Sequence, residues 1–475
     1  MKPLVEMLTE REVLEIHRAS LDVLETTGVE FQGEKALELF RSKGARVEGN
    51  TVCLSPRLVE ESLAQAPARF LLEARDPARS VWIGEDTVCA PPAGVVYIQD
   101  AREGRRPADL EDYLHLVRII HQSTVYGTNG GGIVIPAAPS FSALEKYAWM
   151  VLAGHWYSDK PQMGFALGAD IARAAIEIAD IVFEGRPGCH TIGTVNPDSP
   201  LMFSEKMIEG LFAFAEAGQP VIVAPCSMAM ATSPVTLAGT LVVNNAEVLA
   251  GLVLAELIRP GTPVVYGNTS TISDMQTMAI ALGAPELSLL VNATAQLARI
   301  YKVPSRTGGS LTDAKTPDIQ AGMESMLSMF TSLASRASIV MHAGGILDSF
   351  LTLSYEKLIL DEDVIGMAAR FLRGITVDEE SLALDVIKEK GPGSHYLDTD
   401  HTMKHFKQEF WRPQLSDRQV FQPERDYSSY MVDKAAAVWQ NRIAAYERPA
   451  LKREVEERLL QYYRDKFGRE ALLVN

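Results

Sequence analysis

Arg306 and His342 each follow a short β-rich run, and that placement gives them a chemistry to share. A guanidinium fork beside a histidine suits a carboxylate or a phosphate, because Arg makes two parallel charge-assisted bonds to such groups. Tyr97 belongs to another such run, and Phe350 lies a few residues beyond His342. Their ring faces could attract a cation, an interaction of about 0.5–2 kcal/mol. An anion clamp with aromatic walls reads as a pocket for a small zwitterion. Each residue has a plainer alternative. Arg306 could pair with Asp313, His342 could be a satisfied core histidine, and the two rings could be ordinary packing.

Other polar residues follow the same kind of run. They are Gln99 and Asp100, Asn129, Asn196, Cys226, Asn268 and Asp274, and Asp313 with Asp318. His401 and His405 stand four apart, with His395 and Asp398 nearby. The spacing fixes no third ligand, so the favoured reading is a polar patch that docks the tail, and no metal is assigned. The glycines 130–132 read as a tight turn at a strand end, not as a phosphate cradle. There is no P-loop, HExxH, GxSxG or EF-hand loop. Their absence removes the common phosphoryl-transfer, zinc-protease and serine-hydrolase readings.

The elements that must carry these residues form a rhythm. β-rich runs lie at 95–98, 124–127, 162–166, 190–195, 221–224, 263–266, 303–305 and 338–341, with helical patterns after each. Their spacing averages about 35 residues, the length of one βα unit. Strict alternation predicts parallel strands joined by helical crossovers. The expected fold is α/β, a (β/α)8 TIM barrel over 91–373, whose site lies at the C-terminal strand ends. A mostly helical region, 1–90, precedes it and a helical extension, 374–475, follows. A doubly wound sheet is the competing reading, but no dinucleotide glycine fingerprint follows an early strand.

Composition narrows the partners. The 475 residues carry 45 Lys and Arg against 61 Asp and Glu, a net charge of −16, which disfavours nucleic acid and anionic membranes. Cysteines 53, 89, 189 and 226 form no CxxC pair, which suits a reducing compartment. The first residues hold no apolar leader core. The apolar stretch 235–258 carries Asn244, Asn245, Glu247 and Glu256, which points to a buried helix and not a membrane span. A cytoplasmic protein is expected.

Several phrases carry a family resemblance. They are Tyr97-Ile-Gln-Asp100, Asn196-Pro-Asp-Ser-Pro200, Pro234-Val-Thr-Leu-Ala-Gly239, Asn245-Ala-Glu-Val-Leu-Ala250, Gly283-Ala-Pro-Glu286, Thr312-Asp-Ala-Lys315, Pro317-Asp-Ile-Gln-Ala-Gly322 and His342-Ala-Gly-Gly345. In order and spacing they resemble the trimethylamine methyltransferase superfamily of corrinoid-dependent methyltransferases. All letters are standard residues, so the chain is similar to the branch without pyrrolysine. That branch demethylates quaternary amines such as glycine betaine, proline betaine, carnitine and γ-butyrobetaine.

The resemblance implies a (β/α)8 barrel that moves a methyl group from such an amine, glycine betaine foremost, to the Co(I) corrinoid (cobalamin) of a partner protein. In the glycine betaine enzymes an Arg and a His near the last strands meet the carboxylate. Arg306 and His342 match those positions, and Tyr97 and Phe350 match the aromatic ones. A homo-oligomer is expected, with no cofactor bound to this chain itself. Two other classes stay open. One is a corrinoid-independent lyase or aldolase, for which Lys315 is the nearest Schiff-base former. The other is a non-catalytic betaine-binding protein.

Overall fold

Short apolar segments with little side-chain polarity, such as Val221–Val223 and Ile339–Met341, are buried on both faces, as parallel strands covered by helices must be. In this computed structural model, which describes residues 5–100 and 104–473, seven such strands form one parallel sheet. Their spatial order is Val88–Cys89, Ile339–Met341, Ser305–Gly308, Val264–Gly267, Val221–Val223, Thr191–Val195 and Gln162–Met163. Every neighbouring pair is parallel. From Gln162 onward, sequence neighbours are spatial neighbours, because each crossover is a helix laid on the outer face. The result is a parallel half-barrel with mixed α/β architecture.

The first strand is not the one expected. The run 95–98 lies largely outside this sheet. Tyr97–Asp100 pairs in parallel with Thr352–Ser354 and antiparallel with Gly104–Pro107, in a separate four-stranded sheet. Val88–Cys89 takes the expected place and pairs with Ile339–Met341. The core sheet therefore begins before residue 91. The expected run at 124–127 forms no strand. Instead, Gly127 N donates to Cys89 O at 2.9 Å and Met163 N donates to Gly130 O at 3.1 Å.

The N-terminal region builds its own layer. Thr9 and Glu12 form a capping box for the helix Glu10–Thr26, and Ser55 caps Pro56–Leu63 ahead of its first-turn proline. The strand Val29–Phe31 pairs with Thr51–Cys53 and also with Met202–Phe203, which ties this layer to the main body. Its helices cover Leu237–Ile258, whose other side lies on the sheet. That is why this helix is apolar all round. Among the described residues it is the one helix long and apolar enough to cross a membrane, yet it is largely buried within the protein. Most of its buried polar groups are partnered. Asn245 donates to the Tyr301 hydroxyl at 2.9 Å, and Glu247 accepts from Leu201 N at 2.7 Å.

Part of the C-terminal extension docks on the opposite side. Tyr430–Ala444 packs on Tyr355–Arg373, with Tyr355 and Trp439 stacked at 4.7 Å. Arg442 makes two bonds of 2.7 Å to the buried Glu362, which also accepts from Ser123 Oγ. Arg453–Phe467 packs on Ala169–Val182. Removing one partner of a buried ion pair leaves the other charge stranded, at a cost of about 3 kcal/mol. Arg442→Ala should therefore lower the urea midpoint clearly, while Arg442→Met with Glu362→Leu should recover much of the loss. Equal losses in both variants would show that the pair is not what anchors this helix.

Candidate functional site

Strand Ser305–Gly308 carries Arg306 into the interior, and the parallel register sets it level with Gly267 and Ile339. The chain after Ile339–Met341 turns at once, placing His342 beside it with φ +55°. Both line a cavity of about 510 Å³ at the C-terminal ends of the strands. Arg306 is buried, and its Nη1 donates to Asn268 O and to Thr269 Oγ1, each at 3.1 Å. Its Nη2 lies 3.1 Å from His342 Nε2. Its Nε has no partner among the described residues, and no carboxylate there pairs with it.

These contacts leave a surplus of donors. Arg can only donate, so His342 Nε2 must accept from it and the imidazole proton must sit on Nδ1. Yet Ala93 N–H points at that same Nδ1, at 3.4 Å. A neutral imidazole has one acceptor nitrogen, so two donors compete for it while Arg306 Nε is unused. An arriving anion relieves all three. Burial lowers the Arg306 guanidinium to about 10, opposed by the neighbouring Cys226 thiol. Burial, then the Arg306 charge, holds His342 well below its ordinary value, so the imidazole stays neutral. Cys226 opens onto the cavity, and its thiol is pushed up by burial against the lowering pull of Arg306.

Phe350 completes this end. Its ring lies 4.6 Å from that of His342. Asp348, Ser349 and Phe350 all have left-handed backbone, φ +51°, +50° and +73°. Three such residues in succession, none of them glycine, store strain that the surroundings must hold. Ser349 Oγ donates to Asp313 Oδ1 at 2.6 Å, and Asp348 pairs with Lys315 at 2.7 Å and with Arg105 at 3.1 Å.

Of the residues singled out from sequence, Asn196, Cys226, Arg306, His342 and Phe350 line the cavity together. Asn196 also donates to Ala224 O at 2.6 Å. Tyr97 does not line it. Its ring instead lies 3.9 Å from the Arg105 guanidinium, because its strand belongs to the separate sheet. Gln99 and Asp100 share that strand and also lie off the cavity. Asn129 is buried against Gln162, and Asn268 supports the site through its backbone oxygen while its side chain donates to Thr294. Asp313 accepts from Leu282 N, Gly283 N and Ser349 and so acts on Phe350 at one remove. Asp318 caps the helix Ile319–Ala334, and Asp274 caps its own turn. Lys315 is bound to Asp348 and to Asp313 O, away from the cavity. The rings of His401 and His405 lie 4.5 Å apart and tilted, with His405 on Glu380. Among the described residues no three His, Cys, Asp or Glu side chains group to hold a metal.

Among the wall residues missed, three matter most for the chemistry. Tyr147 and Phe165 face each other at 4.7 Å, and Thr269 receives Arg306. Thr269 comes shortly after the run 263–266, so the strand-end rule already pointed to it, whereas Phe165 lay inside the run read at 162–166 and follows a strand only because the strand ends at Met163. Tyr147 sits on the helix Ala143–Tyr157, which is apolar on every side and marks no one face.

A parallel α/β scaffold with a buried cation that no carboxylate pairs with among the described residues, at its C-terminal strand ends, is an arrangement that can take a small anionic group. Comparison with known proteins sharpens this. Residues 1–468 match the family model of trimethylamine methyltransferase (MTTB), and the chain belongs to that family. It is 41% identical to the glycine betaine methyltransferase of Desulfitobacterium hafniense (strain Y51), over 96% of both chains. It is 33% identical to the proline betaine:corrinoid methyltransferase of Eubacterium limosum, over 95% of this chain and 96% of that one. The solved monomethylamine methyltransferase of Methanosarcina barkeri shares the fold, with TM-score 0.50 at 11% identity, over 98% of this chain and 93% of that one.

The strained turn supplies a test of the site's construction. Ser349→Ala removes one contact and should weaken binding of a small carboxylate-bearing quaternary amine up to about tenfold, or ~1.4 kcal/mol. Calorimetric titration reads this directly. Unchanged affinity would mean that Phe350 keeps its place without the Asp313 contact.

Proposed function

We propose that this chain moves a methyl group from a carboxylated quaternary amine, glycine betaine foremost, to the Co(I) corrinoid of a partner protein, releasing a tertiary amine such as dimethylglycine. The observation that carries this is the charge of the cavity. Arg306 is the one charged side chain among its described lining residues, and the rest of the wall is apolar, aromatic or neutral. We also propose that 127–130 closes the half-barrel, since its hydrogen bonds reach both the Val88–Cys89 and Gln162–Met163 edges. The closed form is then a (β/α)8 barrel with the cavity at its mouth.

The corrinoid supplies the nucleophile and takes the methyl group. The cavity suits such an acceptor from outside, because one rim is bare backbone. A Cβ on Gly94 would meet nothing within 4 Å. This chain's residues position the other reactant. Arg306 takes the carboxylate through Nη2 and Nε, and His342, released from Nη2, accepts from Ala93 N–H at Nδ1 and offers Nε2–H to the ligand. Phe350, one ring spacing from His342, then meets an ammonium carried on a single methylene. Tyr147 and Phe165 offer a second ring pair deeper along the wall. The C–N bond breaks with its electron pair left on nitrogen, so the amine leaves neutral and needs no proton. That fits a cavity whose described lining holds no Asp, Glu or Lys. Orientation alone can supply several kcal/mol of such a barrier.

The test is methyl-cobalt absorbance with a Co(I) corrinoid and a panel of quaternary amines. Glycine betaine should give signal that depends on this chain. Arg306→Ala should lower kcat/KM for glycine betaine by about 100-fold, the scale of a charge-assisted bond, and spare tetramethylammonium. Equal losses on both, or no signal with any amine, overturn the reading. The pH dependence follows from the cited shifts. Arg306 keeps its charge below its folded value of about 10 and loses it above, while His342 stays neutral throughout. KM for glycine betaine should stay flat through neutral pH and rise only as the pH passes about 10.

A further inference from the structure

The C-terminal extension contains a stretch that its own chain leaves unfinished. From 369 to 414 no residue is buried. Three short helices lie there, Glu379–Leu382, Leu384–Lys390 and Asp400–Glu409, and none packs extensively on another element. Most of their hydrogen bonds run within the segment, as in Lys390 with Asp398 and His405 with Glu380, and only its far end is tied back, where Arg370 and Arg373 of the helix Tyr355–Arg373 donate to Glu409. Ile375, Val377, Leu384, Leu397, Met403 and Phe410 are each between 56% and 84% exposed. Helices this short are not stable alone in water. Something must cover them.

A second unfinished face lies on the helix Ile319–Ala334. Ile319, Met323 and Leu327 repeat every four residues along its outer side and are 83%, 70% and 44% exposed. Near its other end Phe330 meets Phe371, itself exposed, on the helix that leads into the extension. The two apolar faces belong to one chain yet do not pack on each other within it.

We propose that residues 375–410 form an exchanged arm, packed on the outer face of the Ile319–Ala334 helix of a second copy of this chain. At ~60–120 Å² per large apolar side chain, the two faces expose on the order of 600 Å² of apolar surface per copy. Together the two faces reach the upper end of what a monomer leaves open, a size that marks interaction sites. A stable interface buries about 800 Å² per partner, a little over half of it apolar, which these faces supply. The occupant is a second copy because arm and face together supply, on one chain, the apolar area that one side of a stable dimer needs. One two-fold operation satisfies both, in a closed, self-complementary contact.

Sedimentation of the full chain at micromolar concentration tests this. The wild type should run at twice the chain mass or an even multiple of it. Ile319→Glu with Met323→Glu changes only exposed side chains, so circular dichroism and melting should be preserved while the mass falls at least twofold. Leu384→Glu with Ile387→Glu in the arm should do the same. Mixing the two variants leaves one intact arm and one intact face per pair, so association should return in the mixture. A wild type that sediments as one chain, variants that keep the wild-type mass, or a mixture that stays dissociated would each overturn the exchange. So would an arm covered only when a corrinoid protein is added.

Discussion

The guanidinium of Arg306 is the constraint around which this molecule is arranged. It is held inside with no carboxylate against it among the described residues, and a buried unpaired charge is among the costliest things a fold can contain. The protein meets part of that cost with neutral acceptors. Asn268 gives its backbone oxygen, Thr269 its hydroxyl and His342 one ring nitrogen. All three are fixed by the parallel strands on either side of Ser305–Gly308, so register is what makes the site. A carboxylate in that place would finish the pairing and leave nothing for a ligand to do.

The rest of the architecture keeps that register from slipping. The N-terminal layer covers Leu237–Ile258 and shares a sheet with Met202–Phe203. The C-terminal helices clamp the far side through Arg442 and Glu362. Strands of two to five residues gain little from their own ladder. Their positions are set by the helices packed outside them and by layers attached at both chain ends. This explains why so much of the chain lies outside the half-barrel.

How much of this the sequence carried depends on what was local. The alternation of strand and helix needs only periodicity, and Arg306 and His342 were legible because each directly follows an apolar run. Their meeting then depended on strand order, which alternation implies. The first strand was misplaced for a physical reason. Val88–Cys89 is too short to announce itself, whereas Tyr97–Asp100 has a longer strand-like pattern that is satisfied by a different sheet. Tyr97 went astray with it. Tyr147 gave no signal because a helix buried on all sides has no face to read. The donor surplus at His342 was invisible for another reason. It comes from Ala93 N–H, a backbone group whose direction no side-chain pattern encodes.

For the proposed reaction, the same logic says why rings and not acids suit a ligand's cationic end. A carboxylate beside an ammonium would bind the ground state strongly, by several kcal/mol at the effective dielectric of a partly buried site. A methyl transfer from nitrogen removes that positive charge as it proceeds, so the ion pair would be lost on the way to the transition state and would raise the barrier. A ring face binds the same cation by only about 0.5–2 kcal/mol, so less is forfeited. The carboxylate end keeps its charge throughout, and a strong clamp there costs the reaction nothing. A strained turn that presents Phe350 beside a rigid Arg306 would therefore divide the labour as the proposed chemistry requires, with firm holding at the end that does not react and a light touch at the end that does.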